Sequence, residues 1–255
     1  MTEAETHHRP GTPCWVSLMV HSLTATQEFY SALFGWTFSP GPPQLGPYAQ
    51  ALLGGRVVAG IGVLPPDRQL PVAWTTYLAT EDAHATADRI RCCGGTVGVG
   101  PLDAGAAGRL VIASDPTGAV FGAWQSREHR GTEAAGDPGT PVRSELFTRE
   151  SGTAAKFYAA VFGVESAADG PDHRALLLDD GRPVAAVHGL GAALPRERGP
   201  YWMTSFAVAD ADATARRVTE LGGRVIRPPG DGAAGRSAEV ADPEGAVFTV
   251  LAARS

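Results

Sequence analysis

Apolar and polar residues alternate in two rhythms along this chain. Trp15–Val20 changes side at every residue, as a half-buried strand does, with Val16, Leu18 and Val20 on one face and Trp15, Ser17 and Met19 on the other. Phe29, Tyr30, Leu33 and Phe34 then fall at helical spacing. Thr24 or Thr26 offers a cap for that helix, and Gly35 suits its left-handed stop. Short strands follow over Ala49–Leu53 and Val57–Val63. The unit then restarts with a strand over Ala73–Thr80 and a helix from Asp82 or His84 to Cys93. A Gly94-Gly95 stop and strands near Gly108–Ser114 and Ala119–Gln125 complete it.

The whole pattern occurs twice. Glu28-Phe29-Tyr30-Ser31-Ala32-Leu33-Phe34-Gly35 returns as Lys156-Phe157-Tyr158-Ala159-Ala160-Val161-Phe162-Gly163, and Trp74 returns as Trp202. Asp115-Pro116-Thr117-Gly118-Ala119-Val120-Phe121 returns as Asp242-Pro243-Glu244-Gly245-Ala246-Val247-Phe248. Blocks that recur in one order and near-constant register mark a duplication. The chain therefore divides into a disordered tail over 1–11, a first domain over 12–127, a linker over 128–140 and a second domain over 141–255. Around it, over Ser126–Pro141, Gly, Pro, Thr and charged residues replace any apolar periodicity.

Each half holds two modules of strand, helix, strand, strand, strand. A module of about 55 residues buries too little surface to stand alone. Two side by side predict an α+β domain: one curved mixed sheet forming a cup, with helices on its convex face. Val16, Leu18 and Val20 should meet the helix. Alternation then assigns to the cup Trp15, Ser17 and Met19, then Trp74, Thr76 and Leu78, with Gly122 and Trp124 across the sheet. In the second half it assigns Arg143, Glu145 and Phe147, then Trp202, Thr204 and Phe206.

Composition narrows the function. The 255 residues carry a net charge of −6, with both signs interspersed, so the basic stripe that phosphate contacts need is absent and no nucleic-acid partner is expected. No apolar run is long enough to span a bilayer, and the polar start has no signal core, so a cytoplasmic protein without membrane contact is expected. Three cysteines are too few for a disulfide framework. The chain has one lysine, Lys156, and no asparagine; both are encoded by A-rich codons, which points to a GC-rich bacterial genome.

The Phe-Tyr-x-x-x-Phe-Gly-Trp run (Phe29 to Trp36), the helix ending in Gly-Gly and the Asp-Pro-x-Gly-x-x-Phe turns resemble the vicinal oxygen chelate superfamily. That family includes glyoxalase I, bleomycin-resistance proteins and extradiol dioxygenases, and the likeness is nearest to its tandem two-domain members. In catalytic members the resemblance implies four ligands to one divalent metal. Carried over here, the first ligand position is Trp15 or Arg143, the third is Trp74 or Trp202, and the last is Gly122 or Thr249. The second lies within 56–61 or 182–187, where there is no carboxylate. Thr249 is at best a weak donor, and His188 could ligate only if the register slipped by a residue. The expectation is two cups without a metal and no cofactor.

Cups built this way suit a hydrophobic, flat small molecule. Trp15, Ser17, Trp74, Thr76, Trp124, Trp202, Thr204 and Thr249 are the candidate binding residues. The tryptophans either stack on a ligand or fill the space a metal would leave. Glu145 and Arg143, two apart on one strand, are the candidate catalytic pair: an acid or base beside a group that stabilises an anion, or else a plain ion pair. Three functions stay open. They are a metal-independent cyclase, isomerase or lyase of specialised metabolism, a drug-binding self-resistance protein, and a metal-dependent glyoxalase or dioxygenase. A monomer or homodimer is expected.

Overall fold

The computed structural model describes residues 8–65 and 71–254. Among them, every module folds as strand, helix, strand, strand, strand. The first comprises β1 (Pro13–Val20), α1 (Leu23–Phe34), β2 (Thr37–Pro40), β3 (Tyr48–Leu53) and β4 (Arg56–Val63). The second comprises β5 (Trp74–Ala79), α2 (Ala83–Cys92), β6 (Thr96–Asp103), β7 (Gly108–Ser114) and β8 (Val120–Ser126). The third has β9 (Pro141–Thr148), α3 (Ser151–Phe162), β10 (Glu165–Ala168), β11 (His173–Leu177) and β12 (Pro183–Gly189). The fourth has β13 (Tyr201–Ala207), α4 (Ala211–Glu220), β14 (Arg224–Gly232), β15 (Gly235–Ala241) and β16 (Val247–Ala253).

The fold is α+β. The strands form two mixed sheets of eight, ordered β2-β3-β4-β1-β5-β8-β7-β6 and β10-β11-β12-β9-β13-β16-β15-β14. Within each module the first strand runs parallel to the last, as β1 with β4 and β9 with β12, and the remaining pairs are antiparallel hairpins. Local chemistry explains the helix ends. Ser22, rather than Thr24 or Thr26, caps α1 by accepting from the Ala25 N–H, and Asp82 caps α2 by accepting from His84 and Ala85. Gly35 and Gly163 close α1 and α3 in the left-handed conformation.

The chain packs as two compact units, each drawing one module from either half. One contains the described residues of Met1–Trp15, with Thr75–Gly131 and Ser144–Trp202. The other contains Val16–Trp74, Thr132–Arg143 and the described residues of Met203–Ser255. In the latter unit, Val16, Leu18 and Val20 join Phe29, Tyr30 and Phe34 of α1 in a core completed by Trp36, Phe206 and Phe248. In the former, Leu78, Phe121 and Leu146 pack with Ile90 of α2 and with Phe157, Tyr158 and Phe162 of α3. Burying such aromatic clusters is the main favourable contribution to either unit.

A polar network is repeated inside both cores. Tyr30 donates to Oδ2 of Asp242 at 3.1 Å and accepts from Trp74 Nε1 at 3.2 Å. Tyr158 does the same with Asp115 at 3.1 Å and Trp202 at 2.9 Å. Burial pushes both phenols well above their usual range. The other carboxylate oxygen of each Asp-Pro turn accepts backbone N–H groups of its own turn, such as those of Thr117, Gly118 and Ala119 on Asp115. Those carboxylates thus tie an Asp-Pro turn of one half to a helix tyrosine of the other.

The segment over 128–140 is packed, not loose. Glu133 donates its N–H to the Val57 carbonyl at 2.8 Å, Trp36 Nε1 donates to the Gly139 carbonyl at 2.8 Å, and Ala134 is buried. Of the tail assigned to 1–11, residues 1–7 lie outside the described residues. Over 8–11 the chain is held: Gly11 donates to the Ala79 carbonyl, and Arg9 pairs with Asp179 and Asp180.

Candidate functional site

The helix-averted face of the first sheet carries Trp15, Ser17 and Trp124, as alternation along β1 and β8 requires. Trp15 and Trp124 do not leave an open slot between them. The ring of His129 meets Trp15 edge-on at 4.4 Å and Trp124 at 5.6 Å, and Trp124 Nε1 donates to the His129 carbonyl at 2.9 Å. Ser17 is buried. Glycine and tyrosine share the rest of this face: the Tyr77 ring lies over Gly122 so closely that a Cβ there would sit 2.1 Å from it. Tyr48 covers Gly60 in the same way.

Trp74, Thr76, Leu78, Trp202, Thr204 and Phe206 face the other way from expectation. Trp74 and Trp202 point at the helices, with their indole N–H groups spent on Tyr30 and Tyr158. Leu78, which shares their parity on β5, packs with α2 side chains, and Phe206 stacks into the α1 core. Alternation correctly groups 74, 76 and 78 on one face but cannot say which face, and an error of one position reverses every side chain. Thr76 donates to Ser144 Oγ at 3.3 Å, both buried. Its repeat partner Thr204 is fully buried, and its hydroxyl has no hydrogen-bond partner among the described residues. Val16 stands where the repeat would place the equivalent of Ser144.

The helix-averted face of the second sheet holds a different set. Arg143 is exposed, and Thr249 lies level with Ser205 and Glu239. Glu145 and Phe147 alternate with the core residues Ser144 and Leu146 on β9 and so project away from α3. Glu145 Oε1 is 3.1 Å from His188 Nε2, and His188 Nδ1 is 2.9 Å from His173 Nδ1. The sheet register builds this line directly, because His173 pairs with His188 and His188 with Phe147.

The rings continue beyond the histidines. His188 stacks on Phe147 at 4.7 Å and 17°, Phe147 stacks on Tyr201 at 5.3 Å and 19°, and the Arg198 guanidinium lies 3.8 Å over the Tyr201 ring. Glu145 and His188 retain 19% and 23% side-chain exposure, enough for solvent or a ligand to reach them. The sequence singles out Glu145 and gives His188 only as a ligand on a slipped register. His173 and Tyr201 were not singled out; the signal that finds them is strand pairing.

Several known proteins resemble this chain. Residues 14–122 match the model of the glyoxalase/bleomycin resistance protein/dioxygenase superfamily, and residues 145–251 match a glyoxalase-like domain. A Mycobacterium tuberculosis protein named "Putative glyoxylase CFP32" is 38% identical over 253 residues, covering 96% of this chain and 95% of its own. The anthracycline biosynthesis protein DnrV of Streptomyces peucetius is 35% identical over 266 residues, covering 98% and 96%. The chain belongs to the glyoxalase/bleomycin resistance protein/dioxygenase superfamily. Among solved structures, the Mn(II)-bound glyoxalase of Novosphingobium aromaticivorans superposes with a TM-score of 0.65 at 17% identity, covering 96% of this chain and 82% of that one. A catechol 2,3-dioxygenase gives 0.61 at 15% identity, covering 97% and 90%. At such identities the likeness is one of fold.

A divalent ion such as the Mn(II) of that glyoxalase needs three or four converging imidazole or carboxylate donors. At the ligand positions carried over from the resemblance, the described residues do not supply them. Trp15 packs on His129, Trp74 and Trp202 face the core, and Gly122 lies under Tyr77. Moving to the averted face puts Thr75, Tyr201 or Met203 in the third position. Among the described residues, no three His, Cys, Asp or Glu side chains are grouped to hold a metal ion. No helix among the described residues is long and apolar enough to cross a membrane. A separate cavity of about 650 Å³ is lined by Arg9, Cys14, Glu81, Trp124 and Arg130 among others. Burial pushes the Cys14 thiol up to about 12, so its sulfur is an inert wall of that cavity.

Proposed function

We propose that this glyoxalase-like protein is a metal-independent enzyme of bacterial specialised metabolism. It holds a flat, hydrophobic aromatic molecule and isomerises, cyclises or eliminates from it by positioning and proton transfer. The observation that carries this reading is the Glu145–His188 contact of 3.1 Å set in the row of rings formed by His188, Phe147 and Tyr201. Aromatic side chains offer faces and edges to a planar ligand, about 0.5–1.5 kcal/mol for each well-placed ring pair. A carboxylate–imidazole pair beside such a ligand can move a proton, an effect typically of about 10²–10⁴ in rate. Two relatives named for anthracycline biosynthesis favour a polycyclic aromatic polyketide as the ligand class.

The test uses two probes. Binding of 1,4-dihydroxyanthraquinone is followed by fluorescence, and proton abstraction by deuterium uptake next to the carbonyl of 2-tetralone in D2O. Wild type should catalyse the exchange. Glu145→Gln should lose about 100-fold of it while binding the quinone within about twofold of wild type, the signature of an acid–base rather than a binding defect. Quinone binding with no exchange in wild type would favour a sequestering protein, and unchanged exchange in Glu145→Gln would remove Glu145 from the chemistry.

A further inference from the structure

We infer that Glu145, His188 and His173 form a hydrogen-bond relay that leaves Nε2 of His173 as the proton acceptor, so that His173 meets the substrate and Glu145 is a positioning residue two side chains behind it. The inference rests on the proposed acid–base function for its substrate, but not for its geometry.

Hydrogen-bond direction follows from the partners. The Glu145 carboxylate can only accept, so the His188 nitrogen 3.1 Å away, Nε2, carries the proton. A neutral His188 then presents a lone pair at Nδ1. The His173 nitrogen facing it at 2.9 Å must be the N–H donor, which leaves Nε2 of His173 unprotonated. The reverse arrangement would place two acceptors, a bare Nε2 and a carboxylate, against each other. Phe147 fixes the plane of His188 by stacking, and the backbone holds both ends of the pair. Gly189 donates to the Asp172 carbonyl at 2.6 Å, and Asp169 donates to the His173 carbonyl at 2.9 Å.

His173 is exposed, and among the described residues nothing is hydrogen-bonded to its Nε2. In this tautomer it is the ring nitrogen of the pair that carries a lone pair not engaged within the chain. In the step this supports, the C–H next to a ring-conjugated carbonyl gives its proton to Nε2 of His173. The electron pair stays on the substrate as an enolate. The resulting imidazolium keeps its Nδ1–H bonded to Nδ1 of His188, and returning the Nε2 proton to another atom of the same molecule completes an isomerisation. Atoms and electrons balance without a co-reactant.

Nitrogen-15 NMR of uniformly labelled protein reads the tautomers without any substrate. At a pH where both rings are neutral, His188 should be the Nε2–H form and His173 the Nδ1–H form. Glu145→Ala should release His188, and His173 with it, to a mixture of tautomers, a change that a carboxylate not setting the His188 proton would not cause. His173→Gln, at an exposed position, should fold normally and lose about 100-fold of the 2-tetralone exchange while quinone binding stays within about twofold. An Nε2–H tautomer at His173, or a pattern unmoved by Glu145→Ala, would overturn the relay. So would a spectrum that changes on adding EDTA, because a metal would then be holding the two Nδ1 atoms. Correct tautomers with no exchange in wild type would leave the relay standing and remove the proposed reaction instead.

Discussion

The phenol of Tyr158 donates a 3.1 Å hydrogen bond to Oδ2 of Asp115, a turn residue 43 positions earlier in the chain and in the other repeat. The same hydroxyl accepts from Trp202, so one oxygen satisfies two buried polar groups. Tyr158→Phe strands both of them at once. Chemical unfolding should show a loss of about 2–4 kcal/mol, two unmet buried groups at about 1–3 each with partial relaxation. Tyr30→Phe should cost a similar amount, and a loss under 0.5 kcal/mol in both would mean that the network contributes little.

The orphaned hydroxyl of Thr204 gives a prediction of opposite sign. Thr204→Val keeps the shape and removes a buried group without a partner, so it should stabilise the protein by about 1 kcal/mol. Thr76→Val breaks the bond to Ser144 and should destabilise by about the same amount. Paired denaturant titrations decide, and equal effects in the two variants would show that the repeats do not differ here.

Gly122 lies under the Tyr77 ring, in the position where a catalytic relative would carry its last ligand. Gly122→Ala forces a Cβ to 2.1 Å from a ring that is itself buried, an overpacking of about 1–3 kcal/mol. In Tyr77→Ala that same substitution should be nearly neutral. A double-mutant cycle measures the difference, and strict additivity would show that the two residues do not touch.

Much of this was legible in the sequence. The repeats, the four helices and their glycine stops follow from spacing and from the freedom of Gly35 and Gly163 to adopt positive φ. The short strand Thr37–Pro40 and the Gly- and Pro-containing strand Thr96–Asp103 carry no clear apolar alternation, so spacing alone does not reveal them. The site was only half legible. Parity placed Glu145 and Phe147 correctly because Leu146 between them is a plain core residue, but it put Trp74 and Trp202 on the wrong face. Both are large and apolar, and either side of the sheet would accept them. His173 and His188 are 15 residues apart and become neighbours only through the β11–β12 register, which depends on a hairpin the sequence does not dimension.

Acid should act on two carboxylates in opposite directions. Hydrogen bonds from Arg127 first, and then from Gly105 and Arg109, hold Asp103 down at about 2. The support it gives the β6–β7 hairpin is therefore present above the ordinary carboxylate range and is lost as the pH falls through about 2. Burial raises Asp242, against hydrogen bonds from Ala246 and Tyr30. Its contribution is full below the ordinary range and is lost as the pH rises through its elevated value. The stability gap between wild type and Asp103→Asn should shrink on acidification. For Asp242→Asn the part of the gap that depends on titration should run the other way, and parallel pH profiles would contradict both assignments.

The central claim is that the row of rings beside Glu145, rather than a bound ion, receives the ligand. The most direct measurement is the affinity of untagged protein for 1,4-dihydroxyanthraquinone before and after exhaustive chelation, with Phe147→Ala alongside. The account predicts an affinity unchanged within about twofold by chelation and about tenfold weaker in Phe147→Ala, the loss of roughly one stacked ring contact. Binding that disappears on chelation and returns with one equivalent of Mn(II) or Fe(II), while Phe147→Ala binds normally, would contradict it.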